Sequence, residues 1–211
     1  MQIIAHRGFW KTQEERNSRM ALERAMECGY GFETDFRDYG GKVLISHNPP
    51  VGDELTADEL FRMYAESGKN GTLALNIKAD GLQDMMRELL EKYGIDDYFL
   101  FDMSVCDTIP YIERKMKIAS RSSEFEPYLP FYKESEVVWV DYFDGRTNVV
   151  DELRKYIADG KMPCIVSPEL HGLPYEAMWQ ILNEQIVNGK IVNDIMLCTD
   201  VPDKAEQYFN R

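Results

Sequence analysis

A closed (β/α)8 barrel, the TIM barrel, is the architecture this 211-residue sequence predicts, and three observations point to it. Eight short apolar runs recur along the chain, and amphipathic helical patterns alternate with them, the signature of a parallel sheet. No Gly-rich phosphate loop follows the first run, which argues against an open doubly wound sheet of five or six strands. The length lies near the lower limit for one such barrel, and no Ser/Pro-rich or low-complexity stretch marks a boundary, so residues 1–211 read as a single domain.

The runs are Gln2–Ala5, Tyr30–Phe36, Thr72–Ile77, Tyr98–Phe101, Lys117–Ser120, Val137–Asp141, Pro163–Val166 and Asp194–Cys198. After the first, Ser18 is placed to cap a helix that runs to Cys28 and stops at Gly29. After the second, the Gly40-Gly41 pair turns the chain back into a short hairpin strand that ends at His47. Thr56 to Glu59, TADE, reads as a capping box that opens the next helix. The clearest helix carries Leu82, Met85, Met86, Leu89, Leu90 and Tyr93 on one face and ends at Gly94.

Composition is that of a globular protein, 44% apolar and 29% charged. A formal net charge of -13 argues against a nucleic-acid binder and against unaided docking on an anionic membrane, because both reward clustered Lys and Arg. No run approaches the roughly 20 apolar residues that span a bilayer, so no stable membrane insertion is expected. The first residues lack the basic and apolar regions of a secretory signal. Four scattered cysteines, Cys28, Cys106, Cys164 and Cys198, are expected as reduced core or near-core thiols, and a cytoplasmic location as the default.

In a barrel, chemistry sits at the carboxyl ends of the strands. Those ends carry His6-Arg7, Glu33-Thr34-Asp35, His47 after the hairpin, Asn76-Ile77-Lys78, Asp102, Arg121, Asp141, Glu169 with His171, and Thr199-Asp200. All three histidines of the chain are among them. Residues two apart share a strand face, so Glu33 and Asp35 project together, as do Asn76 and Lys78. Two adjacent carboxylates repel unless a proton or a cation lies between them, and oxygen ligands of this kind suit Mg²⁺ or Ca²⁺. Arg7 and Lys78 add the positive charge a phosphate uses, and two histidines can supply one general base and one general acid. Taken singly, each has a plainer explanation: a hydrogen-bonded loop histidine, a salt-bridged strand edge, or a carboxylate capping the next helix. Their coincidence at strand ends favours a site.

The segments IAHRG, ERNS, GFETDFRDYGGKVLISHN, LNIK and CTDVPD, in this order over nearly the whole chain, resemble the glycerophosphodiester phosphodiesterases. These belong to the wider phosphatidylinositol phospholipase C-like superfamily of phosphodiesterases. The resemblance implies a (β/α)8 barrel that binds one divalent cation at its mouth and cleaves a small phosphodiester with two histidines. It implies His6 and His47 as the acid-base pair, Arg7 and Lys78 on the phosphate, and Glu33 and Asp35 on the metal. Asn17 matches the asparagine of the family's ENT segment, with the preceding glutamate displaced to Glu15. Three departures stand out. Asn76 replaces the metal-binding acid and leaves one negative charge fewer for the cation; Asn48 replaces the aspartate after the second histidine. The insertion that usually follows that histidine is almost absent. Glu169 is offered as a compensating acid in the phosphate site, and His171 as a third site histidine. The alternative at this level is a weakened or inactive barrel that binds a phosphorylated ligand; a lyase or enolising barrel is disfavoured because the third strand carries no further acid.

Overall fold

A computed structural model describes residues 1–126, 128–191 and 195–210. Among them, eight strands run parallel around a nearly closed barrel in chain order: β1 (Gln2–His6), β2 (Gly31–Tyr39), β4 (Leu73–Ile77), β5 (Tyr98–Phe101), β6 (Ala119–Ser122), β7 (Val137–Val140), β8 (Met162–Val166) and β9 (Met196–Thr199). Pairing of β1 with both β2 and β9 joins the two ends of the chain. The remaining seam, β5 to β6, is bridged at Leu100 and Ile118, with the Leu100 amide 3.0 Å from the Lys117 carbonyl. The ninth strand, β3 (Lys42–Ile45), pairs antiparallel to β2 and forms the expected hairpin.

Local chemistry explains the helices. Ser18 accepts from the Ala21 amide at 3.2 Å and opens α1 (Arg19–Glu27). Thr56 and Glu59 exchange hydrogen bonds, each amide 3.1 Å from the other's side chain, and open α2 (Ala57–Glu66). Gly94, at φ 56, ends α3 (Gln83–Tyr93) in the left-handed conformation that glycine adopts without strain. Then follow α4 (Val105–Glu113), α5 (Val150–Ala158), α6 (Glu176–Val187) and α7 (Pro202–Phe209).

The structure corrects the sequence reading in four places. The fifth strand is Ala119–Ser122, two residues later than the run Lys117–Ser120, so Arg121 lies inside it. Between β6 and β7 the described residues hold no helix. That segment carries Pro127 and Pro130, and proline removes a helix donor. Leu129, Phe131 and Tyr132 cover the strands instead, and the Ser120 hydroxyl donates to the Pro130 carbonyl at 2.7 Å. Cys164 and Cys198 are buried, but Cys28 and Cys106 are exposed. The last strand begins at Met196; Asp194, read as the start of that run, lies outside the described residues.

Two apolar layers follow from strand alternation. Outward residues such as Ile3, Ala5, Phe32 and Leu75 pack under the helices. Inward residues fill the barrel: Ile4, Ala74, Phe99, Phe101, Val137, Trp139, Cys164, Val166, Met196 and Cys198. Phe101 and Trp139 stack with centroids 4.2 Å apart. Among the described residues no helix is long and apolar enough to cross a membrane. Replacing Thr56 with Ala removes the hydroxyl that accepts from the Glu59 amide, and urea denaturation should register a loss of about 1 kcal/mol that Thr56→Ser largely avoids.

Candidate active site

The first strand delivers its histidine through a tight turn. The Gly8 amide donates to the Ala5 carbonyl at 3.1 Å, and Arg7 lies at φ 55 between them. Gly8 itself is at φ +81, where a Cβ would stand 2.8 Å from the Ala21 backbone carbon, so only glycine lets α1 approach this closely. The turn aims the Arg7 amide at Glu33 Oε2, 3.1 Å away. His6 Nδ1 is 2.7 Å from Asp200 Oδ1, and its Nε2 is 3.8 Å from Glu33 Oε2. An ionised carboxylate only accepts, so Nδ1 carries the proton and the ring is oriented by Asp200.

Asp200 is held in turn. Its second oxygen accepts from Arg16 at 3.1 Å, and its amide donates to Glu169 Oε1 at 3.1 Å. The Thr199 hydroxyl donates to the same Glu169 oxygen. Arg16 lies over the Trp10 ring at 4.4 Å, and the Trp10 indole donates to the His6 carbonyl at 3.0 Å. Glu169 therefore reaches the site as a brace for Asp200, and its other oxygen is buried without a donor among the described residues. The service of Asp200, Arg16 and Trp10 to His6 went unread in the sequence. The available signal was barrel closure, which puts Ala5 opposite Thr199 and so brings the following residues, His6 and Asp200, together.

Glu33 and Asp35 point into the barrel, 2% and 0% exposed. Asp35 Oδ2 accepts from Asn17 Nδ2 at 2.8 Å and lies 3.3 Å from Arg7 Nε; its Oδ1 lies 3.5 Å from Lys78 Nζ. The Thr34 hydroxyl donates to Asn17 Oδ1 at 2.7 Å, which fixes the asparagine amide with its nitrogen toward Asp35. Burial, and then the charge of Asp35, push the Glu33 carboxyl up to about 7 against the pull of His6, Arg7 and Lys78.

Asn76 is the β4 register partner of Asp35. Asn76 Oδ1 and Asp35 Oδ1 are both buried without a hydrogen-bond donor among the described residues. Two such oxygens on paired positions, beside Glu33, fit a hard divalent cation with oxygen ligands. Only two of these three groups are carboxylates, and the described residues contain no cluster of three His, Cys, Asp or Glu arranged to hold a metal.

His47 is exposed on the loop after β3, with Nδ1 3.1 Å from Asn48 Oδ1. It lines a cleft of about 700 Å³ together with Arg7, Arg16 and Asn17. Across the mouth, His171 Nε2 pairs with Asp141 Oδ1 at 2.7 Å, and the Phe143 ring lies 4.3 Å from the imidazole. Burial raises the Asp141 carboxyl and His171 draws it back down.

The raised Glu33 sets a pH dependence. Between the ordinary glutamate range and about 7 the folded chain holds a proton that the unfolded chain has lost, so stability falls as pH rises through that window. In buffer free of divalent cations, Glu33→Gln should therefore melt higher than the parent at pH 8, with the difference closing near pH 4.

No protein-family model matches the chain, and no curated protein does. Solved structures do. A candidate glycerophosphodiester phosphodiesterase from Galdieria sulphuraria superposes with a TM-score of 0.75 at 15% identity, covering 100% of this chain and 98% of its own. A glycerophosphodiester phosphodiesterase from Agrobacterium tumefaciens gives 0.70 at 13% identity, over 96% of this chain and 97% of its own. An Oleispira antarctica phosphodiesterase, in complex with its product sn-glycerol-3-phosphate, gives 0.71 at 15% identity, over 100% and 97%. The likeness is one of fold, end to end: this chain has the same single barrel as three proteins described as phosphodiesterases of this type.

Proposed function

We propose that the chain is a phosphodiesterase acting on a small, glycerophosphodiester-like substrate, with His6 and His47 as its acid-base pair. One observation carries the reading: the Asp200-oriented His6 stands beside Glu33 where Arg7 and Lys78 converge on Asp35. The description shared by three proteins of the same fold supports it. Glu33, Asp35 and Asn76 would hold one divalent cation, Mg²⁺ or Ca²⁺. When bound, it supplies Lewis-acid neutralisation of phosphate charge.

The side chains divide the rest of the work. Arg7 and Lys78 draw the non-bridging oxygens and offset charge that builds at phosphorus. Asn17 keeps Asp35 in place, and Glu169 keeps Asp200 in place. With Nδ1 committed to Asp200, His6 takes the proton of the attacking oxygen at Nε2. A bond forms from that oxygen to phosphorus as the ester bond to the leaving alcohol breaks. His47, open to solvent, gives its proton to the departing alkoxide. The attacking oxygen belongs to water, or to a neighbouring hydroxyl where the substrate has one, and the latter gives a cyclic phosphate.

Asn76 favours a second reading, a barrel that binds a phosphorylated ligand with weakened or no turnover. The two are separated by titrating Mg²⁺ and Ca²⁺ against a panel of small phosphodiesters, with chelator controls. Turnover that falls roughly 10²–10⁴-fold in His6→Ala and in His47→Ala is the expected result; phosphate binding without any turnover supports the second reading. Asn76→Glu should restore the missing charge, and calorimetric titration of the cation alone should then give tighter binding than in the parent.

A further inference from the structure

Charges alternate across the mouth from Asp35 to Lys78, Asp102, Arg121 and Glu126. Lys78 Nζ is 3.5 Å from Asp35 Oδ1 and 3.5 Å from Asp102 Oδ2. Asp102 Oδ1 is 3.3 Å from Arg121 Nη1, and Arg121 Nε is 2.7 Å from Glu126 Oε2. Asp102, which follows β5, thus gives one oxygen to each of two cations, Lys78 after β4 and Arg121 in β6. Lys78, Asp102, Arg121 and Glu126 line one cavity of about 440 Å³, separate from the His47 cleft.

Stability does not account for Asp102. Its backbone is at φ +65, the left-handed region that strains a residue bearing a Cβ. Its ion pairs are partly exposed and loose, and such pairs add little to folding. At 3.5 and 3.3 Å they exceed the length of a good charge-assisted hydrogen bond, so the lysine and arginine donors stay available to a ligand. Arg121 Nη2 makes no hydrogen bond among the described residues.

We propose that Asp102 is a positioning residue that spaces Lys78 and Arg121 as two arms for one tetrahedral oxyanion, which makes Arg121 a further phosphate-binding residue on the β6 side. Resting on the phosphodiesterase reading, this assignment adds a cation outside the β1–β2–β4 half of the site and gives a role to Arg121, which the sequence places at a strand end without one. The arm grips substrate and transition state alike, so its loss raises KM and leaves kcat nearly unchanged.

Asp102→Gly, Asp102→Asn, Arg121→Ala and the Asp102→Gly/Arg121→Ala double variant test it on the full chain. Two readouts are used: kinetics on bis(para-nitrophenyl) phosphate, and the thermal shift given by inorganic phosphate. Asp102→Gly relieves the backbone strain, so its Tm without phosphate should equal or exceed the parent's. Its KM and its phosphate dissociation constant should each rise about tenfold, the size of one lost charge-assisted contact. Arg121→Ala should match it, and the double variant should lose no more than either, because residues acting as a unit are not additive. A lower Tm with unchanged phosphate affinity, losses that multiply in the double variant, or no phosphate shift in the parent would each overturn the assignment. A parent that hydrolyses no diester but shows this pattern of phosphate binding leaves the assignment standing and removes the phosphodiesterase reading instead.

Discussion

Two carboxylates buried one strand step apart, Glu33 and Asp35, are the constraint around which this barrel mouth is built. Alternation along β2 turns both inward, where water cannot screen them and the charge of Asp35 adds to burial in opposing the ionisation of Glu33. The surroundings answer that repulsion. Arg7 contributes its amide to one carboxylate and its guanidinium to the other. Lys78 and the Asn17 amide also lie against Asp35, and His6 stands against Glu33. Remove the pair, and the strained Arg7 turn, the fixed asparagine and the inward lysine have nothing to converge on.

Much of this was legible in the residues. Caps at Ser18 and Thr56 and the stop at Gly94 are local chemistry, decided within a turn of helix, and they fall where the sequence puts them. The inward pairing of Glu33 with Asp35 is a consequence of period two alone. What escaped the sequence depends on distant contact. Asp200 meets His6 across 194 residues because β9 closes the barrel on β1, and neither residue advertises the other locally. Trp10 and Arg16 look like ordinary loop residues until that closure brings them under Asp200. The two-residue displacement of β6 has the same origin: Arg121 is held in the sheet by its pairing with Trp139, not by any preference of its own.

Three of the six non-glycine residues at positive φ among the described residues lie at the mouth. Arg7, Asn17 and Asp102 all carry positive φ without being glycine, and each contacts one of the buried or half-buried charges of the mouth. Asparagine and aspartate tolerate this conformation better than most residues, whereas Arg7 is held there by the hydrogen bonds on either side of it, from Gly8 to Ala5 and from Asn17 to its own carbonyl. The shape of the site is therefore set by tertiary contacts that override local preference.

The inward aromatic cluster has a further effect. Phe99, Phe101 and Trp139 occupy the barrel axis beneath the charged mouth, and Cys164 and Cys198 close the opposite wall with thiols that burial keeps protonated. The floor under the carboxylates is thus apolar and non-ionising. This apolar layer separates the charges of the mouth from a cleft of about 540 Å³ at the other end of the barrel, which Asp97, Lys117, Glu136 and Lys161 line, so the two ends are electrically insulated from each other.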